Sequence, residues 1–115
     1  MFRALFSGLL GSNVKTVSPR EVMDMMTGGE KVTVIDVRSA DEFNGGHVPQ
    51  ARLIPLPVLG KRLKEIPKDR PVVVTCASGM RSRMASEQLM EQGYENVYNM
   101  KGGMMAWRRA GLAMK

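Results

Sequence analysis

The sequence predicts an α/β protein in which helices flank both faces of a mainly parallel sheet. Three observations carry this. Val32–Val37 and Pro71–Thr75 are β-branched almost throughout, the composition of strands buried on both faces. Helix starts with their own capping signals fall between the strand candidates. The two kinds of element alternate along the chain, the order that lays parallel strands side by side with crossover helices.

Val14 to Val17 reads as a short first strand. Ser18-Pro19-Arg20-Glu21 then opens a helix, with Ser as N-cap, Pro at the first helical position and Glu closing a capping box. Val22, Met25 and Met26 supply its apolar face and Gly28-Gly29 ends it. After the Val32–Val37 strand, Ser39-Ala40-Asp41-Glu42 repeats the capping box and Gly45-Gly46 closes a short helix. Leu53-Ile54 is a brief strand. Val58, Leu59, Leu63 and Ile66 mark the face of a further helix between Pro57 and Pro67. Beyond Pro71–Thr75 a helix carries Met84, Ala85, Leu89 and Met90 at core spacing, with Gly93 after it. Val97–Met100 is the last strand, and Met105 to Ala110 the last helix, stopped by Gly111.

A chain of 115 residues has room for one domain and one hydrophobic core. With 43% hydrophobic and 24% charged residues, neither a disordered tail nor a fibrous repeat fits. The net charge of +6 draws anionic small molecules or an acidic partner. Nucleic acid is not expected, because the cations are scattered among acids. Three Phe, two Tyr and one Trp make no stacking platform. Residues 1–13 read as a short amphipathic extension and 14–115 as the domain. Phe2, Leu5, Phe6 and Leu9 lie at helical spacing in a segment far short of the roughly 20 apolar residues that span a bilayer, and without a small-x-small cleavage site. That segment is expected to pack on the domain or on a second copy, giving a monomer or a weak homodimer. Contact of residues 2–10 with a membrane surface is the less favoured alternative.

The one cysteine, Cys76, excludes an intramolecular disulfide, and with His47 as the single histidine it cannot build a Cys-rich zinc site. A lone thiol favours a reducing, cytoplasmic compartment. Cys76 follows a buried strand directly and precedes a helix, which is where ligands collect in a parallel sheet. A Gly-containing turn into a helix aims backbone N–H groups into one concavity, and the helix dipole favours an anion there. A free cysteine with a pKa of about 8.5 is only about 3% thiolate at pH 7. Lowering the pKa by about two units would make it roughly three quarters thiolate. The bland alternative, a small buried hydrophobe, is the common fate of free cysteines; position and turn favour a nucleophile. Arg81 near a helix N-terminus opposes the dipole and should be paired, partly buried, with Asp36 or Glu42. His47, between Gly45-Gly46 and Val48-Pro49, reads as a loop anchor more than as a catalytic partner. The eleven methionines read mostly as adaptable core packing, with Met80 set apart as an apolar rim of the loop, and Trp107 reads as core.

Asp36-Val37-Arg38, Glu42-Phe43, Gly46-His47-Val48-Pro49 and Ala51 together resemble the first signature of rhodanese domains. Cys76-Ala77-Ser78-Gly79-Met80-Arg81-Ser82 resembles their active-site loop, and Lys101-Gly102-Gly103 with Trp107 their closing motif. The resemblance runs from about Val14 to the C-terminus. It implies a three-layer sandwich with a five-stranded, mainly parallel sheet. It also implies a sulfurtransferase in which Cys76 takes sulfane sulfur from a small anionic donor such as thiosulfate, as a persulfide. Cyanide in an assay, or an external cellular thiol or sulfur-acceptor protein, then removes it. No metal or organic cofactor is implied. Ala77, Ser78, Gly79, Met80, Arg81 and Ser82 would bind the substrate, and Asp36, Arg38 and Glu42 would support the loop. A non-catalytic interaction or sulfur-carrier module on the same fold is the alternative. A cysteine phosphatase or arsenate reductase-like enzyme ranks lower, because Cys76 to Arg81 is one residue shorter than the phosphatase loop. Two positions depart from the family: Gln50 stands where Gly is usual, putting the turn after Pro49 in question. Ala77 replaces an often basic residue, leaving the loop mouth less cationic.

Overall fold

A computed structural model describes residues 14–115; the proposed amphipathic segment of residues 1–13 lies outside them. The elements run β1 (Lys15–Val17), α1 (Pro19–Thr27), β2 (Thr33–Asp36), α2 (Ala40–Asn44), β3 (Arg52–Leu53), two 3₁₀ turns (Leu56–Lys61 and Leu63–Glu65), β4 (Val72–Thr75), α3 (Met80–Glu91), β5 (Val97–Met100) and α4 (Gly103–Arg109). The sheet has five strands in the order β1-β5-β4-β2-β3, and every pairing is parallel. β2 continues outward to β3 and β4 continues outward to β5, so the strand order reverses between β2 and β4. Such a reversal opens a crevice at the carboxyl ends of the strands. Asp36 and Thr75, in register there, place Arg38 and Cys76 just beyond them.

Strand periodicity sorts the core into two layers. Val34 and Val73 face one side, with Val17, Val22, Met100, Met104 and Trp107. Ile35, Val72 and Val74 face the other, with Leu59, Ile66, Ala85, Leu89 and Tyr94. α1 and α4 thus cover one face, and α3 with the 3₁₀ turns covers the other. Each fully buried aliphatic side chain contributes about 1.5–3 kcal/mol. Trp107 is wholly buried and its indole N–H donates to the Ala113 carbonyl at 3.0 Å, so its polar edge is satisfied. Among the described residues no helix is long and apolar enough to cross a membrane.

Both serine starts form as the sequence predicts, each a complete capping box. Two local readings are corrected. The helix expected over Val58–Ile66 is instead two 3₁₀ turns broken at Arg62, and Val58 is exposed. Pro55 and Pro57 lack N–H donors and Gly60 weakens any continuation, so no α-helical ladder establishes itself. Met84 and Met105 are not core residues, being 60% and 54% exposed, and Met80 is more exposed still. The buried face of α3 is Ser82, Ala85, Ser86 and Leu89. Small residues let the helix lie close to the sheet, and the serine hydroxyls are hydrogen-bonded, to Asn99 and to the Ser82 carbonyl. Gln50 keeps a glycine-type backbone, with φ 72° in the left-handed region where a side chain is strained.

Candidate active site

Cys76 follows β4 directly and is buried. The chain then turns through Gly79, whose φ of 107° is open to glycine, and enters α3. Gly79 is the N-cap and has no side chain to bond the first turn. Two backbone donors of that turn go to the sulfur instead: Gly79 N–H at 3.1 Å and Ser82 N–H at 3.3 Å from Sγ. The Ser82 hydroxyl lies 3.3 Å from Sγ. Burial by itself pushes the Cys76 thiol up. The Ser82 hydroxyl and the Ser82, Gly79 and Ser78 amides outweigh it, and the net direction is down. A thiol held this way has raised thiolate content, the condition for nucleophilic attack.

The Arg81 guanidinium is hydrogen-bonded to a carboxylate, not to the sulfur. Of the two carboxylates considered for it, Glu42 holds it in a fork, Nη1 to Oε1 at 2.8 Å and Nη2 to Oε2 at 2.9 Å. Glu42 Oε1 also accepts from the Ser39 amide at 3.0 Å and the Ser39 hydroxyl at 3.1 Å. The Arg81 hydrogen bonds, helped by those from Ser39, lower the Glu42 pKa to about 2. Glu42 in turn raises that of Arg81. One carboxylate therefore closes the α2 cap and pins the first turn of α3.

Asp36 and Arg38 stand elsewhere in the network. Asp36 accepts from the Arg38 backbone amide and, through both oxygens, from its guanidinium at 2.8–3.1 Å. Arg38 Nη2 also donates to the Gly46 carbonyl at 2.9 Å. This buried pair saturates itself and holds the segment after α2; no side-chain hydrogen bond joins it to the Cys76 loop among the described residues. His47 Nδ1 donates to the Phe43 carbonyl at 2.8 Å, its ring stacks on Phe43 at 3.7 Å, and its carbonyl accepts from Lys115. That is the geometry of an anchor. Among the described residues no three His, Cys, Asp or Glu side chains converge as metal ligands would.

Sequence reasoning missed two supports of the loop. At the start of α4, Met104 N–H donates to the Cys76 carbonyl at 2.8 Å and Met105 N–H to the Ala77 carbonyl at 3.0 Å. Gly103 permits this approach: a Cβ there would lie 2.5 Å from the Cys76 oxygen and 2.7 Å from Ala77 backbone atoms. The second is Asn99 in β5, which accepts a short hydrogen bond from the Ser82 hydroxyl and donates to the Gly79 carbonyl at 3.1 Å. A polar residue inside an otherwise apolar strand was the available signal for Asn99.

A family model described as Rhodanese-like domain matches residues 18–110. A sulfurtransferase of Allochromatium vinosum is 39% identical over 99 residues, covering 86% of this chain and 92% of the relative. The thiosulfate sulfurtransferase GlpE of Shewanella oneidensis is 34% identical over 99 residues, covering 86% of this chain and 97% of its own. Among solved structures, a rhodanese-like domain protein of Staphylococcus aureus superposes with a TM-score of 0.77 at 31% identity, covering 82% of this chain and 91% of the other.

Proposed function

This chain belongs to the rhodanese-like domain family of sulfurtransferases, and on that premise we propose that it moves sulfane sulfur through a persulfide on Cys76. The supporting observation is the pair of backbone N–H groups directed at Sγ from a loop that supplies no side-chain cap. In the first step the Cys76 thiolate attacks the outer sulfur of a donor such as thiosulfate. The donor's S–S bond breaks and sulfite leaves with the electron pair. In the second step a nucleophile, cyanide in an assay or a thiolate in the cell, attacks the outer sulfur of the persulfide. The Cys76 thiolate is then the leaving group, and the loop donors favour it in that role. No metal or organic cofactor is needed for either step.

Several features support the finer reading. The Arg81 fork is already engaged with Glu42, which suits a loop that holds one sulfur atom better than one that clamps a phosphoryl group. The chain has a single cysteine, so the acceptor thiol is external, small or carried by a protein. Its positive net charge favours an anionic donor. A free thiol that must stay reduced between turnovers fits the cytoplasm.

The test is intact-protein mass after thiosulfate treatment, wild type beside Cys76→Ser. The expected result is a gain of one sulfur on wild type alone, removed by cyanide. No gain with thiosulfate or with a persulfide donor such as a low-molecular-weight hydropersulfide would overturn the reading.

A further inference from the structure

The Asn99 side chain is buried behind the loop and touches it twice. A carbonyl can only accept, so the Gly79 oxygen fixes the amide nitrogen of Asn99 towards itself and turns Oδ1 towards Ser82. Oδ1 can also only accept. The single hydroxyl proton of Ser82 therefore lies on the bond to Asn99, and the hydroxyl presents a lone pair to Cys76. The neutral site reads as one directed chain: thiol S–H to Ser82 Oγ at 3.3 Å, Ser82 O–H to Asn99 Oδ1.

Ionisation breaks that order. A thiolate has no proton to give, and a lone pair facing it is unfavourable in a site where Cys76, Ser82 and Asn99 are all buried from water. The Ser82 proton can turn to the sulfur only by leaving Asn99. We infer that Asn99 is a positioning residue that sets whether the Ser82 hydroxyl offers the sulfur a lone pair or a proton. In this way it opposes thiolate formation until the hydroxyl turns.

The charged groups around the sulfur are Arg81 on α3 with its partner Glu42 on α2, and Asp36 at the end of β2 with its partner Arg38. Lys101, after β5, is exposed. Substitution at Asn99 alters none of them. The experiment is the pH titration of Cys76, read by thiolate ultraviolet absorbance and by the rate of alkylation. Neither readout depends on sulfur transfer, so its outcome is separate from that of the proposed function.

Asn99→Ala frees the hydroxyl to donate, and the midpoint is expected to fall by about half to one pH unit, the worth of one hydrogen bond. Ser82→Ala removes the hydroxyl in either orientation and supplies the reference background. In the Ser82→Ala background, Asn99→Ala is expected to shift nothing further. A purely structural role predicts otherwise, since loosening the loop would raise the midpoint in both backgrounds. An upward shift, no shift, or the same shift with and without the hydroxyl overturns the inference. Should Asn99→Ala not fold, Asn99→Leu serves, filling the side-chain space without an acceptor for the Ser82 proton. The midpoint should again fall with Ser82 present and stay unmoved in Ser82→Ala, and equal shifts reject the role.

Discussion

Helices α1 and α2 start on serines, α3 and α4 on glycines, and equivalent backbone donors meet different partners in the two pairs. In α1 the Ser18 amide donates to Glu21 Oε1 at 2.7 Å and the Glu21 amide to Ser18 Oγ at 3.1 Å. In α2, Ser39 and Glu42 repeat the arrangement at 3.0 and 3.2 Å. The same two positions in α3 are Gly79 and Ser82, and both amides go to Cys76 Sγ. One sulfur atom, delivered from the end of β4, stands in for both the capping hydroxyl and the capping carboxylate. In α4 the first-turn amides go to the carbonyls of Cys76 and Ala77. A helix start that caps itself is closed to ligands. A glycine start leaves its donors to an acceptor from outside, so the polarity of this site is made mostly by backbone.

The sharpest way to break the contrast is Gly103→Ala. The added Cβ would meet backbone, not a flexible side chain, at 2.5–2.7 Å, and φ 58° is strained for alanine. Overpacking and left-handed strain together should cost about 3 kcal/mol. Because the clash is with Cys76 and Ala77 themselves, the thiol titration should move as well. Urea unfolding and alkylation rate check both; a stability loss below about 1 kcal/mol with an unmoved titration would show that the close approach is not required.

How far the sequence discloses this follows from the same contrast. A serine start is a local device: Ser18 and Glu21, or Ser39 and Glu42, sit three residues apart and can be read in a short window. The β-branched runs are equally local, and all the strands they predict exist. Cys76 and its loop are legible because they are contiguous. What escapes is non-local. Nothing near Gly103 in the chain says that its backbone must meet Cys76, and nothing near Asn99 announces Ser82. Met84 shows the opposite error. Helical spacing puts it beside Ala85, but the packed face is the one where serines find hydrogen bonds, and methionine is left outside. The Val58–Ile66 stretch has apolar residues at helical intervals, yet its prolines and glycine deny it the backbone ladder.

On the serine side, Ser18→Ala is a local loss. Its capping box is exposed and, among the described residues, makes no side-chain hydrogen bond to the Cys76 loop. The expected cost is about 1 kcal/mol of stability with the Cys76 titration unchanged. A shift of the thiol midpoint in this variant would mean that the two kinds of start are not independent.

Glu42 is where the two kinds of start meet, since it closes the α2 cap and grips Arg81 on α3. Its folded pKa of about 2 lies below its ordinary value of 4.5. A depressed carboxylate stabilises the fold above its unfolded pKa, and that contribution is lost as pH falls through the folded one. The window therefore runs from about 4.5 down to about 2. Arg81 and Glu42 are 40% and 36% exposed, so solvent screening holds the effect to roughly 1 kcal/mol or less. Glu42→Gln is the clean comparison, because glutamine can still close the capping box while removing the charge. Glu65 and Asp69 are also lowered, by Arg62 and Arg70, but they titrate alike in both proteins and cancel in the difference. Urea unfolding across the window should show the wild-type advantage over Glu42→Gln shrinking with acid, and shrinking less in high salt. A difference that does not change with pH would show that the charge of Glu42 adds nothing to its hold on Arg81, and would leave the glycine start of α3 held by the sulfur and the backbone.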